Sequence, residues 1–317
     1  MISFVVKRLA VAVVSLFGIS IVLFLILRLA PGDPVSMFFN PMEFYGDREA
    51  AMALRRAQLG LDRPLPVQYA AWLGQLFQGN LGVSYQTGRP VLELLQTRLG
   101  ATSLLMLSSL AISLVIGVTA GIFSALKRNS AFDYTASFLS VSAISIPPFF
   151  LALLGIFVFG LQLRVLPTAG INTPGGDWGD ALRHLILPAG ILGISSAAGY
   201  VRWARSSLLD VLLQDFMVTA QSKGLSSFRV VVGHGLRNAL IPLITVVATG
   251  IPSLFGGSVI IEQIFAWPGT GRMAVDAIAN RDYAVLMGFL MMTAVLVLVC
   301  NLLADLAYAL VDPRVRL

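Results

Sequence analysis

The chain has 317 residues, a net charge of +6, 12% charged and 57% apolar residues, and a single cysteine. A soluble domain carries about twice that fraction of charge, so a soluble globular enzyme is excluded, and one cysteine excludes an intrachain disulfide framework. The basic excess has neither a basic domain nor interleaved aromatics behind it, which excludes nucleic acid as a partner.

Six charge-free stretches approach or exceed the roughly 20 residues that cross a bilayer as a helix. In chain order they are Leu9–Leu27, Leu99–Leu126, Tyr134–Leu163, Leu185–Val201, Asn238–Ile261 and Tyr283–Ala304. A helix satisfies its own backbone, as hydrocarbon requires. The predicted class is an all-α integral membrane protein with six transmembrane helices, embedded in lipid. The first stretch is longer than a signal-peptide core and lacks a cleavage site after it. Arg28-Leu29-Ala30-Pro31-Gly32-Asp33-Pro34 closes it instead, with prolines stopping the helix. The segment 31–98 is too long for a simple connector. Asp47 can cap a helix running to about Leu59, with Gly60 as its stop. Tyr69, Trp72, Leu73, Leu76 and Phe77 recur at helical spacing and predict an amphipathic helix on the outer membrane surface or a docking face. Val91, Leu94, Leu95 and Arg98 begin turns that lead into the second span. Gly117 and Gly121 form a GxxxG pattern suited to helix packing. Pro147-Pro148, Pro188 and Gly250-Ile251-Pro252 interrupt the third, fourth and fifth spans. The fourth is short and should borrow from its flanks. Cys300 in the sixth reads as a small packing residue.

Charges near span ends orient the chain. Lys7-Arg8, Lys127-Arg128, Arg202, Arg205, Arg314 and Arg316 place both termini in the cytoplasm. That side carries 11 basic residues against the acids Asp133, Asp210, Asp215 and Asp312, while the opposite side is balanced.

The loop from Asp215 to Pro242 is polar and basic between long apolar spans. Leu208, Leu212, Phe216 and Ala220 repeat every four residues and predict one apolar face. Asp210, Gln214, Gln221 and Lys223 lie away from it. Gly224 supplies a sharp turn, and Ser226 can cap a following short helix. Such a helix–turn–helix suits mechanical coupling to a partner on that side.

The stretch Thr219-Ala220-Gln221-Ser222-Lys223-Gly224-Leu225, with His234-Gly235-Leu236-Arg237-Asn238-Ala239 after it, resembles the coupling loop of ABC-importer permeases in its dipeptide/oligopeptide variant. Thr219-Ala220 stand at the two Ala places of the broad importer pattern and Gly224 at its Gly; Val218 replaces the Glu and Arg237 the Pro. The resemblance covers the whole chain, through Pro31-Gly32-Asp33-Pro34, Leu59-Gly60-Leu61-Asp62-Arg63-Pro64, Gly79-Asn80-Leu81-Gly82-Val83-Ser84, Ser145-Ile146-Pro147, Glu262-Gln263-Ile264-Phe265-Ala266-Trp267-Pro268-Gly269-Thr270-Gly271 and Asp312-Pro313-Arg314-Val315-Arg316. Asn80 stands where that family usually has Asp, and Gly100 where it often has Pro.

The resemblance implies a type I ABC importer permease fold in a bacterial-type inner membrane. It implies a first helix over 1–30, an external segment over 31–98, a permease core over 99–311 with its coupling loop at 206–237, and a cytoplasmic tail over 312–317. Implied partners are a second, homologous but distinct permease subunit, two ABC ATPase subunits and an external substrate-binding protein. Implied cargo is a di- or oligopeptide, with nickel chelates, glutathione or oligosaccharides as alternatives. Thr219, Ala220, Gln221, Lys223, Gly224 and Leu225 would receive the ATPase.

The chain has no phosphate-binding P-loop, so ATP and Mg would be bound by partner ATPase subunits, with no cofactor on this chain. Thr245, Thr249 and Ser253 fall four apart in the fifth span, with Gly256-Gly257 beyond them. That small, hydroxylated face either packs on a helix or lines a wet pathway. The middle of each span lacks an ionisable residue, which disfavours a proton relay. His184 and His234 fall on opposite membrane sides and cannot share a metal. Gly193-Ile194-Ser195-Ser196 superficially suits a rhomboid-like protease, but a histidine within a span is missing as its base. A channel or scaffold is the remaining alternative.

Overall fold

The computed structural model describes residues 2–29, 35, 47–58, 60–224 and 226–311. The Pro31–Pro34 stop, Leu225 and the 312–317 tail lie outside the described residues. Helices α1 (Ile2–Leu29), α2 (Arg48–Gln58), α3 (Leu65–Phe77), α4 (Val91–Leu126), α5 (Ala131–Ser145) and α6 (Pro148–Gly155) come first. After α6 the chain continues in π-helical turns over Ile156–Gln162. Then come α7 (Trp178–Leu212), α8 (Asp215–Ser222) and the single turn α9 (Ser227–Arg229), which runs on in π-helical turns over Val230–Leu236. The last are α10 (Arg237–Ile264), α11 (Thr270–Ala279) and α12 (Tyr283–Val311). Among the described residues the extended pairing is one isolated antiparallel bridge, Val83 to Pro90.

The all-α membrane class holds. Among the described residues, α1, α4, α7 and α12 are each long and apolar enough to cross a membrane. The expected third span is two pieces, Ala131–Ser145 and Pro148–Gln162, bent by 99°. The cause is local: Pro147 and Pro148 bring no amide donors, and Ile146 before them leaves helical geometry at φ −91 and ψ 122. The expected fourth span does borrow from its flanks, since α7 has 35 residues. Its start is fixed by Asp177, whose Oδ1 accepts from the Asp180 amide at 2.9 Å. The fifth lies within α10, a helix of 28 residues.

The chain divides into two compact units. The first comprises Met1–Leu9, Ala101–Arg272 and Leu296–Leu317. Its core gathers Leu105, Leu185, Leu192, Leu254, Ile261 and Trp267, from α4, α7, α10 and the turn after it. Glycines let α4 and α7 approach closely. A Cβ at Gly121 would sit 2.7 Å from both Ala204 Cβ and the Val201 carbonyl, and one at Gly117 2.6 Å from Tyr200 Cβ. The GxxxG pattern is therefore a packing seam. Gly193 serves the same seam from the α7 side, against Ile112 and the Ser109 carbonyl. Asp133, in the first turn of α5, receives Arg205 of α7 at 2.6 and 2.8 Å, the Ser124 hydroxyl of α4 and the Asn129 amide. Three helices thus meet on one buried carboxylate. Arg8 pairs with Asp305 at 2.9 Å.

The second unit comprises Ala10–Gly100 and Met273–Val295. Asp47 caps α2 by accepting from the Glu49 and Ala50 amides at 3.1 and 3.2 Å. Gly60, beyond the end of α2, takes φ +65, as a helix stop requires. Tyr69 and Trp72 of α3 pack on Phe24 of α1, with ring centroids 5.3 and 5.9 Å apart, and the Tyr69 hydroxyl bonds Ser20 at 2.8 Å. Phe77 does not join this face; it is 84% exposed. A second core holds Val91, Leu95, Met273, Ala277 and Val285. Asp282, just before α12, is buried and accepts from the Ser84 hydroxyl at 2.5 Å and from the Gln86 and Val285 amides at 3.3 Å. The departure at Asn80 is structurally sound: its side-chain oxygen accepts from the Gly82 amide at 2.9 Å.

Candidate functional site

The helix–turn–helix loop is present, but its apolar register differs from the expected one. Helix α7 ends at Leu212 and α8 restarts at Asp215, so the four-residue repeat does not run through. Leu208 and Ala220 are buried as expected, whereas Phe216 is 41% exposed and Met217 takes the inner position at 1%. Met217, Ala220 and Val230 form a small cluster against Val211 and Leu212. Gly235 lies against it, and a Cβ there would come within 3.3 Å of Met217 Cε, a tight contact. A neighbouring cluster of Ala125, Leu208 and Ala239 joins the ends of α4 and α7 to the start of α10, and the Ser207 hydroxyl donates to the Ala239 carbonyl at 2.7 Å. The short helix is therefore seated on the end of α7 and on the π-helical turns that lead into α10, next to the cluster that joins α4, α7 and α10.

Its other side is open. Thr219 and Lys223 are exposed, as are Asp210 and Gln214. Val218 is 60% and Phe228 75% exposed, beside Phe216. Gly224, between α8 and α9, takes φ +80, a conformation that side chains resist. Ser226 occupies the cap position of α9 in extended geometry, but its side chain makes no capping bond. A helix of three residues with a π-helical continuation presents its first amides differently from a regular helix. Thr219 Oγ1 instead donates back to the Asp215 carbonyl at 3.0 Å. The Gln221 side chain and all of Leu225 lie outside the described residues.

Of the expected pathway face, the side chains of Thr245, Thr249 and Ser253 lie outside the described residues, although their backbone belongs to α10. Gly256 is exposed, with open space where a Cβ would be. Gly250 is in close contact with α7: a Cβ there would lie 2.8 Å from the Tyr200 hydroxyl oxygen. His184 Nδ1 lies 2.9 Å from the Asp180 carbonyl, a local helix contact. The Ser195 hydroxyl is buried without a hydrogen-bond partner among the described residues.

Glu262 opens one of the motifs that carry the family resemblance, but sequence reasoning did not reach its structural role. The fifth span was read as ending at Ile261, but α10 runs to Ile264 and carries this carboxylate with no exposed surface. Its Oε1 accepts from the Thr102 hydroxyl of α4 at 2.8 Å, and Oε2 from the Arg272 amide at 3.0 Å. The Thr270 amide donates to Thr102 Oγ1 at 2.8 Å. The chain folds over the carboxylate so closely that a Cβ at Gly269 would lie 2.3 Å from it. Trp267 Nε1 donates to the Ala101 carbonyl at 2.9 Å. The run from Glu262 to Gly271 thus fastens the end of α10 to α4. The signal that could have found it is the acid at a span end followed by two closely spaced glycines.

Comparisons with known proteins agree with this geometry. Residues 117–317 match the family model described as binding-protein-dependent transport system inner membrane component. Residues 1–106 match its N-terminal companion model. An oligopeptide transport system permease protein of Bacillus subtilis is 43% identical over 100% of this chain and 100% of its own. A di/tripeptide transport system permease protein of Pseudomonas aeruginosa is 38% identical over 100% of this chain and 99% of its own. Among solved structures, an inward-facing MetNI methionine ABC transporter gives a TM-score of 0.58 at 18% identity, over 69% of this chain and 96% of that one.

Proposed function

From the premise that this chain belongs to the family of binding-protein-dependent transport system inner membrane components, we propose that it is a permease subunit of an ATP-driven ABC importer that carries di- or oligopeptides. The observation that carries the mechanism is α8: an exposed helix whose buried side, Met217 and Ala220, packs with Val230 against Val211 and Leu212 at the end of α7, beside the cluster that joins α4, α7 and α10. In this reading Thr219, Ala220, Gln221, Lys223, Gly224 and Leu225 meet an ATPase subunit. The exposed Phe216, Val218 and Phe228 supply apolar contact area. Closure of the ATPases on ATP pushes α8, and the long helices rock with it.

The same reading assigns a second, distinct permease chain across the pathway, two ATPases on the cytoplasmic side and an external binding protein that delivers the peptide. Both termini are cytoplasmic. The first helix (1–30), external segment (31–98), core (99–311) and tail (312–317) are its parts. Thr245, Thr249, Ser253 and Gly256 border the pathway. Cysteines at 245, 249 and 253 should then react with small aqueous reagents during ATP turnover, and a face never reached in any state would be packing alone. The test of the assembly is co-purification: a tagged chain should bring down a second permease and ATPase subunits from its own membrane. Recovery of the chain alone, in mild detergent and with intact fold, would refute the assignment.

A further inference from the structure

In the second unit, a cavity of about 90 Å³ opens among Arg28, Trp72, Gln75, Gly82, Tyr283 and Met287. Arg28 is the charged residue that lines it. Its guanidinium lies 5.5 Å from the centroid of the Phe24 ring, and it is absent from the ion pairs among the described residues. Asp282, which precedes the lining Tyr283, is already engaged by the Ser84 hydroxyl and two backbone amides. A half-buried guanidinium with five donors and an aromatic ring beside it offers an anion a ready set of partners.

Size and surroundings narrow the anion. At about 90 Å³ the cavity suits a small group such as one phosphate and is too small for a peptide. The planar fork of arginine matches phosphate oxygens in pairs. Trp72 and Tyr283 are residue types that gather at the membrane–water interface, and Arg28 stands at the end of an apolar helix. That helix keeps Val22, Ile26 and Leu29 exposed at 54%, 59% and 70%, a surface suited to acyl chains.

We propose that Arg28 and this cavity hold the phosphate group of a membrane phospholipid whose chains lie along the exposed apolar surface of α1. The test is native mass spectrometry of the full-length chain in detergent, titrated with dioleoylphosphatidylglycerol and, separately, with inorganic phosphate. Arg28→Gln should weaken one lipid-binding event roughly tenfold, the effect of losing a charge-assisted hydrogen bond. Met287→Trp, which fills the cavity and leaves Arg28 in place, should do the same, and it carries the test should Arg28→Gln not fold. Arg89→Gln, at an exposed arginine paired with Glu93 at 2.5 Å, should leave lipid binding unchanged. Equal lipid affinity in wild type and Met287→Trp would overturn the site. Displacement of the lipid by millimolar inorganic phosphate, with the same dependence on Arg28, would overturn the lipid as the source of the anion.

Discussion

Replacing Glu262 by Ala removes the acceptor that fastens α10 to α4. The Thr102 hydroxyl and Arg272 amide, now donating at 2.8 and 3.0 Å, lose their acceptors. Thr102 is 1% and Glu262 0% exposed, so water cannot easily replace the carboxylate. A buried donor left unsatisfied costs about 1–3 kcal/mol. The Thr102 hydroxyl has a second neighbour, Thr270 Oγ1 at 3.1 Å, and can partly recover. Relief of the buried charge offsets a further part, leaving a net loss of about 3 kcal/mol. At about 2–4 °C per kcal/mol for a chain of this order of size, the midpoint of unfolding in detergent should fall by roughly 6–12 °C. Tryptophan fluorescence reads it, because Trp267 donates to the Ala101 carbonyl beside this network. Glu262→Gln keeps one acceptor oxygen but turns an amide group toward the other donor, so it should lose about half as much. An Ala variant that melts with the wild type would refute the idea that the carboxylate is a tie.

Three further outcomes follow from the same structure. Gly121→Leu should cost about 1–3 kcal/mol by overpacking, because even a Cβ would lie 2.7 Å from the Val201 carbonyl; Gly100→Ala, with open space around it, should be neutral or stabilising in the same melt. In a Cys300→Ala background, cysteines at Gln86 and Asn172 should be labelled from outside, and those at Asn129 and Ser227 only once the membrane is opened; external labelling of Ser227 would invert the topology and detach the loop from any cytoplasmic ATPase. Thr249→Trp should abolish uptake while insertion survives, and unimpaired uptake would remove this face from the pathway.

The long helices were legible because lipid leaves the backbone few options: apolar length alone marks α1, α4, α7 and α12. The cap at Asp47 and the turns at Gly60 and Gly224 were equally open to local rules, whereas the cap at Asp177 was not anticipated. What was not legible came from tertiary packing. A strict four-residue repeat pointed to Phe216, but the break after Leu212 shifts the register and buries Met217 instead. The double proline announced a break, but hydropathy alone does not give its size, a 99° bend between the two pieces. The burial of Glu262 was hidden because a hydropathy window treats a charge as an end, whereas here closely packed glycines and a threonine from another helix make burial affordable.

The central claim is that α8 passes force between ATP hydrolysis and the membrane helices. Gly224→Pro tests it most directly: proline fixes φ near −65°, whereas Gly224 stands at +80 between α8 and α9. In proteoliposomes holding the complete transporter, Lys223→Glu should have a small effect, since an exposed ion pair is worth about 0–1 kcal/mol. Gly224→Pro should insert and assemble, retain basal ATP hydrolysis, and lose peptide uptake. Uptake at the wild-type rate, still stimulated by the loaded binding protein, would contradict the account.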